Sequence, residues 1–169
     1  KEIKNFNPKH LNNENKDVIS NLVINKIKIH ENVSLANFII DYLETNKIFE
    51  DSLWRCIESS KGRKDDLIDN LSSNCMTILN YAGKDLFHKD FSYQRIPNAD
   101  LRESIIFNSN FNNALMTNCN LNRSTVTDCS FKSTDISNIQ LGLKKKEFDK
   151  QIKSNPALPQ APTKNPPLN

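Results

Sequence analysis

The sequence contains very little glycine, and this scarcity excludes several common classes of nucleotide-binding protein. Only three glycines occur among 169 residues, at Gly62, Gly83 and Gly142. A phosphate-binding loop needs two glycines separated by four residues and followed by lysine, and a dinucleotide-binding fold needs three closely spaced glycines. Neither pattern is present. We therefore expect no nucleotide cofactor and no enzyme of these kinds, and nothing else in the chain points to catalysis.

Long apolar runs are also lacking, and so is a signal-peptide pattern. The longest runs are about five residues, far short of the roughly 20 that a membrane-spanning helix requires, so the sequence predicts no membrane span. The chain begins at Lys1 rather than at methionine, and we expect either a processed chain or an excerpt of a longer one.

Paired metal ligands are a third absence. The chain has no Cys-x-x-Cys motif and its three histidines are isolated, so we expect no metal site. Four cysteines are too few for a disulfide scaffold of this length. We therefore expect no disulfides and a cytoplasmic or other reducing compartment, with secretion into a host cell as the open alternative. The cysteines are Cys56, Cys75, Cys119 and Cys129.

The charge is nearly balanced where the chain is expected to fold. The net charge is +3, divided as −1 over residues 1–88, 0 over 89–141 and +4 over 142–169. A neutral body lacks the positive surface that nucleic-acid binding usually requires. We therefore expect protein partners rather than nucleic acid.

Helical periodicity is present in the first half of the chain. After a flexible lead-in at 1–14, the apolar spacing predicts a small helical domain over 15–85. A stripe on its second helix, with Ser34 as the N-cap, is expected to face the core, and Trp54 is expected to pack between helices. The predicted helices cover 16–30, 34–46, 48–60 and 65–81, and the stripe consists of Leu35, Phe38, Ile39, Tyr42 and Leu43.

From residue 91 onward a large apolar residue recurs every five positions, eleven times in succession. Two positions before each one lies a second series, in which eight of eleven residues are Ala, Ser, Cys or Thr. The large series is Phe91, Ile96, Leu101, Ile106, Phe111, Met116, Leu121, Val126, Phe131, Ile136 and Leu141. The small series is Ala99, Ser104, Ser109, Ala114, Cys119, Ser124, Cys129 and Thr134.

A period of five fits neither a helix nor a strand and indicates a solenoid. If each five-residue unit forms one side of a square, four units complete a coil and both series point inward, where four sides crowd a narrow interior. We expect this β-helix over 86–142, followed by a capping helix at 143–153. A proline-rich disordered tail is expected at 154–169, where Pro-x-x-Pro spacing weakly suggests a polyproline ligand.

The five-residue pattern resembles the pentapeptide-repeat family. The resemblance implies a right-handed quadrilateral β-helix, so the expected fold class is a small helical bundle followed by a short β-solenoid. Some members of that family are DNA mimics that inhibit topoisomerases. The short, neutral repeat of this chain disfavours that role.

The segment 53–101 also resembles the helix-then-pentapeptide segment of multidomain signalling proteins of the NACHT or STAND type. The matching runs are Leu-Trp-Arg-Cys-Ile-Glu-Ser-Ser-Lys at 53–61, Ser-Asn-Cys-Met-Thr-Ile-Leu at 73–79 and Arg-Ile-Pro-Asn-Ala-Asp-Leu at 95–101. Cys75, Met76 and Asn98 depart from the usual residues but keep size or turn character. The ATPase of such proteins has no counterpart here, so the resemblance implies an accessory interaction segment.

These observations favour a non-catalytic protein-interaction or scaffold module, and a subunit or fragment of a larger assembly is compatible with them. A bacterial effector or adaptor is the alternative. The candidate binding face comprises the basic side chains of the repeat. His88 with Asp85 and Asp90 could bind a metal or act as a base, but a polar loop cluster at the junction of helices and solenoid is the favoured interpretation. The basic residues are Arg95, Arg102, Arg123 and Lys132.

Overall fold

The structure is a computed structural model that describes residues 23–63 and 68–142. Helices precede a two-stranded parallel sheet. The elements are α1 (Val23–Lys26), a 3-10 turn (Ile29–Glu31), α2 (Val33–Glu44), α3 (Lys47–Glu58), α4 (Asp69–Tyr81), β1 (Ile105–Phe107) and β2 (Thr125–Thr127). The predicted lead-in at 1–14, capping helix at 143–153 and tail at 154–169 lie outside the described residues.

The prediction of one continuous helix over 16–30 was wrong within its described part. Helix α1 ends at Lys26, because the buried side chain of Asn74 binds backbone groups both within the helix and just after it. Its amide donates to the carbonyls of Ile24 and Ile27, and its oxygen accepts from the Ile29 amide at 3.2 Å. These tertiary hydrogen bonds compete with helix continuation.

The later helices begin at asparagine caps. Helix α2 is capped by Asn32, whose Oδ1 accepts from the Leu35 amide at 3.0 Å, so the expected cap at Ser34 was wrong. Asn46 caps α3 in the same way, through the Phe49 amide at 3.0 Å. Both asparagines satisfy amides that would otherwise lack partners at a helix start.

The predicted inward stripe of α2 is only partly buried. Ala36 and Leu43 lie in the core, whereas Phe38 is 71% exposed and Tyr42 is 40% exposed. The helix has apolar residues on two sides, and the hydrophobic pattern alone does not tell which side faces the core.

Trp54 also differs from expectation: it lies half-buried at the junction with the repeat and stacks on Phe91 at 6.5 Å between ring centroids.

The repeat returns to the same position every 20 residues, which is four five-residue units. Strand β1 pairs with β2 in parallel, with Ile105 opposite Thr125, and isolated parallel bridges link further residues 20 apart. Backbone amides donate to carbonyls 19 residues later, as from Phe91 to Asn110 at 2.7 Å. Successive circuits therefore stack through backbone hydrogen bonds.

Both five-residue series point into this stack. The large residues from Phe91 to Phe131 are buried, and Ile136 and Leu141 are half-buried near the end of the described chain. Three phenylalanines form a column, with 4.9 Å between the centroids of Phe91 and Phe111 and 5.1 Å between those of Phe111 and Phe131. In the small series Ser124 and Cys129 are half-buried, and the buried members are Ala99, Ser104, Ser109, Ala114, Cys119 and Thr134.

Helix α4 covers the open edge of the first circuit. A first circuit has no preceding one, so some of its backbone groups lack the usual partners. Thr77 Oγ1 accepts from the Asp100 amide at 2.9 Å, and Ser72 and Ser73 donate to the carbonyls of Arg95 and Pro97. The side chains of one helix thus supply the hydrogen bonds that another circuit would have made.

Glycine is needed where the turn after α3 meets the repeat. The Gly62 amide donates to the Tyr93 carbonyl at 2.8 Å, and the φ of Gly62 is +71°. That left-handed conformation is inexpensive only without a side chain.

Candidate functional site

One side of the repeat is unusually apolar. We call it the β face and define it by the outward side chains of 84–88, 104–108 and 124–128. Side chains alternate in strands β1 and β2, so the residues flanking buried Ile106 and Val126 point away from the interior. The β face consists of Asp85, Phe87, Ile105, Phe107, Thr125 and Thr127.

The centre of the β face exposes large apolar groups. Ile105 is 59% exposed and Phe107 is 39% exposed, and Phe87 is half-buried beside them. The His88 ring packs edge-on against Phe107, with 5.6 Å between centroids and an interplanar angle of 86°. Such a grouping on a short polar repeat marks a surface suited to contact with another macromolecule.

Two carboxylates adjoin the apolar centre of the β face. Asp85 lies within the face, in the same column as Ile105 and Thr125, and Asp128 lies at one corner. Both are exposed, and neither forms an ion pair within the described residues. At the opposite corner Arg123 pairs with Glu103, so the charge there is internally balanced.

A shallow polar depression of about 320 Å³ adjoins the β face. It lies over two ladders of stacked side chains, in which Asn108 Nδ2 is 2.9 Å from His88 Nδ1 and Asn110 Nδ2 donates to Asp90 Oδ1 at 3.0 Å. The lining residues are His88, Lys89, Asp90, Asn108, Ser109, Asn110, Asp128 and Ser130.

Asp90 is the residue of this depression whose electrostatics are most clearly set by its neighbours. Hydrogen bonds from Lys61 and Ser92 lower the pKa of Asp90 to about 2, so the carboxylate stays ionised at neutral pH. His88 contacts Asn108 and Phe107, and it forms no hydrogen bond with Asp85 or Asp90, the partners proposed from the sequence. Within 23–63 and 68–142, no group of three or more His, Cys, Asp or Glu residues could hold a metal ion.

The four basic residues proposed from the sequence do not form one surface. Arg95 makes a two-point ion pair with Asp69 of α4, at 2.7 and 2.9 Å. Arg102 pairs with Asp100, and Arg123 pairs with Glu103, while Lys132 is exposed on a different side. The five-residue register places the four on different sides and corners of the coil. These partners depend on tertiary contacts, which sequence spacing does not reveal.

Asp100 joins the repeat to the helices. The Tyr81 hydroxyl donates to Asp100 Oδ2 at 2.7 Å, and Arg102 Nε donates to the same carboxylate. Burial opposes ionisation of Asp100, but hydrogen bonds from Arg102 and Tyr81 outweigh it and hold its pKa below the usual value. Burial and the hydrogen bond to Asp100 raise the pKa of Tyr81 to about 12.

The cysteines are free thiols in environments that suppress their reactivity. Cys56, Cys75 and Cys119 are buried and Cys129 is half-buried. Burial raises the pKa of the Cys119 thiol to about 12 and that of the Cys75 thiol well above its usual value. Protonated buried thiols are poor nucleophiles and suit a packing role.

The five-residue series do not predict the β face, because they describe only the inward positions. The available signal was the run Ile105-Ile106-Phe107, where outward positions that are mostly polar elsewhere carry large apolar residues.

Across the two described stretches of chain, no helix combines the length and apolar character required to cross a membrane.

Comparison with known proteins gives a match within the repeat. No curated protein and no solved structure matches the chain. The stacked circuits described above coincide with a match to a family model: residues 90–123 match the family described as Pentapeptide repeats, in 8 copies.

Proposed function

We propose that this chain is a non-catalytic protein-interaction module that contacts its partner through the β face. The proposal rests on the exposure of Ile105 and Phe107 at the centre of that face. It takes residues 86–142 as a right-handed quadrilateral β-helix and 15–85 as a helical domain that covers its first circuit. The 20-residue hydrogen-bond register and the family match at 90–123 support this architecture.

The carboxylates beside the apolar centre of the β face indicate the chemistry of the partner. Asp85 and Asp128 place negative charge beside the apolar centre. A phosphate backbone would be repelled there, whereas a protein surface with an apolar centre and a basic border would be complementary. The partner we propose is therefore a protein with that surface.

We further propose that the module is a subunit or segment of a larger assembly. This proposal takes up the resemblance that we infer from the sequence between 53–101 and the helix-then-pentapeptide segment of NACHT or STAND proteins. An effector or adaptor role would use the same face. A DNA-mimic role is disfavoured because the repeat at 89–141 has no net charge.

The test is affinity capture from the native source, with the bound proteins quantified by mass spectrometry. The key variant is the double substitution Ile105→Thr and Phe107→Thr. It gives β1 the Thr-x-Thr pattern already present in β2, so the strand register should survive. We expect the partner signal to fall at least about tenfold, as is typical when the anchors at the centre of an interface are removed.

The matched control is Tyr93→Ser, which removes a 54% exposed aromatic side chain at a corner away from the β face. We expect this variant to retain the partner. Equal capture by the wild type and the Ile105/Phe107 variant would contradict the proposal. Weaker capture at higher salt, and with Asp128→Asn, would support the basic border of the partner.

A further inference from the structure

The polar depression beside the β face runs along one corner of three successive circuits. Its lining side chains come from 88–90, 108–110 and 128–130, so residues 20 apart in sequence are stacked on one another. Neighbouring circuits are about 4.8 Å apart, so the depression extends about 10 Å along the axis of the repeat. Phe107 and Thr127 of the β face directly precede the lining residues Asn108 and Asp128. The depression and the β face therefore form one continuous surface.

The charges of this depression are unevenly distributed along its length. At the end formed by the first circuit, Lys61 Nζ donates to Asp90 Oδ2 at 2.8 Å. Lys89 Nζ at the same end lies 4.7 Å from the centroid of the Trp54 ring. Asp128, two circuits away, is exposed and has no hydrogen bond or ion pair with the described residues. The depression therefore offers an uncompensated negative charge at the end that Asp128 forms.

A second acceptor lies one circuit away from Asp128. Asn108 Nδ2 is 2.9 Å from His88 Nδ1, so the side-chain amide directs its nitrogen towards His88 and its oxygen elsewhere. No group of the described residues donates to this oxygen. Phe107, which is 39% exposed, adjoins both acceptors from the side of the β face. A carboxylate and an amide oxygen on consecutive circuits thus lie beside an exposed aromatic ring.

We propose that the depression binds an arginine side chain of the partner protein. This inference rests on the proposed function, because it assigns one contact of the partner that docks on the β face. The guanidinium donates to the Asp128 carboxylate and to Asn108 Oδ1, and the apolar stem of the arginine lies along Phe107. Arginine fits better than lysine, because its planar fork can donate to two acceptors at once and its weakly hydrated face packs on aromatic rings.

The test is a titration of the full chain with N-acetylarginine amide, followed by proton–nitrogen correlation NMR at neutral pH. We expect saturable shifts of the Asn108 side-chain amide and of the Asp128 backbone amide, with a dissociation constant on the order of 1–10 mM for a single exposed ion pair. The control ligand is N-acetylcitrulline amide, which has a similar shape and no charge. We expect this ligand and N-acetyllysine amide to bind at least about threefold more weakly.

The key variant is Asp128→Asn, which removes the charge at a residue whose φ is +54°, a conformation that asparagine tolerates well. We expect it to weaken the binding of arginine amide about fivefold. The matched control is Asp85→Asn, which removes an exposed carboxylate of the β face outside the depression, and its effect should be less than about twofold.

Three results would overturn the arginine site. They are unchanged Asn108 and Asp128 signals at concentrations well above the expected dissociation constant, equal binding of the arginine and citrulline derivatives, and equal weakening by Asp85→Asn and Asp128→Asn. The titration uses no partner protein. Its outcome is therefore independent of affinity capture by the Ile105/Phe107 variant, so failure of the arginine site and failure of the proposed function can be told apart.

Discussion

In the turns of the repeat, asparagine often adopts the left-handed backbone conformation for which other proteins use glycine. Positive φ angles recur at every fifth residue from His88 to Asn138, at eleven non-glycine residues, of which five are asparagine. The short polar side chain of asparagine tolerates the left-handed conformation better than most L residues do. A repeat with a turn at each corner can therefore be built in a chain with only three glycines.

Asn113 offers a direct measurement of this effect. Its φ is +59° and its side chain is exposed, so a substitution there changes little except backbone strain. We expect Asn113→Val to lower the free energy of unfolding by about 1–2 kcal/mol, because a β-branched residue is strained in this region. Urea denaturation measures it, and Asn113→Gly should stay within a few tenths of a kcal/mol of the wild type. Equal stability of the valine and glycine variants would contradict the explanation.

At the scale of elements, α4 acts as a substitute circuit for the repeat. Its side chains accept from and donate to backbone groups of the first circuit, and Asn80 Nδ2 extends this to the carbonyls of Asp100 and Arg102 at 3.2 and 3.0 Å. An uncovered circuit edge would leave polar groups without partners and would invite pairing with other chains. The helix therefore contributes both stability and protection from aggregation.

Thr77→Val tests this role with almost no change of shape. The Asp100 amide, which now donates to Thr77 Oγ1, would remain buried without an acceptor. We expect a loss of about 1–3 kcal/mol in the free energy of unfolding. Thr117→Val is the same substitution at a half-buried residue whose side chain makes no hydrogen bond within the described residues, and it should have a much smaller effect. A comparable loss in the two variants would show that the hydrogen bond is not the cause.

Elements with a strict period could be predicted far better than elements held by tertiary contacts. The large residues from Phe91 to Phe131 are buried because a five-residue register leaves one position per side pointing inward. The break after α1 could not be predicted, because it depends on Asn74, which is about 50 residues distant from Ile24. The exposure of Phe38 and the pairing of Arg95 with Asp69 likewise depend on which elements meet.

At the scale of the whole molecule, the helices and the repeat share one continuous hydrophobic core. The aromatic column of the repeat continues through Phe91 to Trp54 of α3, over which Lys89 lies at 4.7 Å from the ring centroid. Tyr81, the buried Asp100 and Arg102 link the two parts beside that core. Opening the junction would therefore expose apolar area in both parts at once.

This arrangement predicts one unfolding transition whose midpoint depends on pH in a defined way. The pKa of Asp100 is lowered on folding, so its contribution is present above about pH 4 and is lost as the pH falls below that value. The pKa of Tyr81 is raised to about 12, so its contribution is present below about pH 10 and is lost as the pH rises towards 12. Asp100→Asn should cost about 2 kcal/mol at neutral pH and should flatten the acid limb relative to the wild type.

The measurement is urea denaturation across this pH range, followed by fluorescence of Trp54, the single tryptophan, and by far-ultraviolet circular dichroism. Trp54 reports on the junction and circular dichroism reports mainly on the helices, so coincident transitions mean that the junction opens only when the helices unfold. Tyr81→Phe serves as the alkaline control, since it removes the hydroxyl that titrates and should flatten that limb. Because the same hydroxyl donates to Asp100, a smaller flattening of the acid limb is expected as well. Fluorescence that changes well before circular dichroism would mean that the junction opens independently, and the contacts around Asp100 would then stabilise one interface rather than the whole fold.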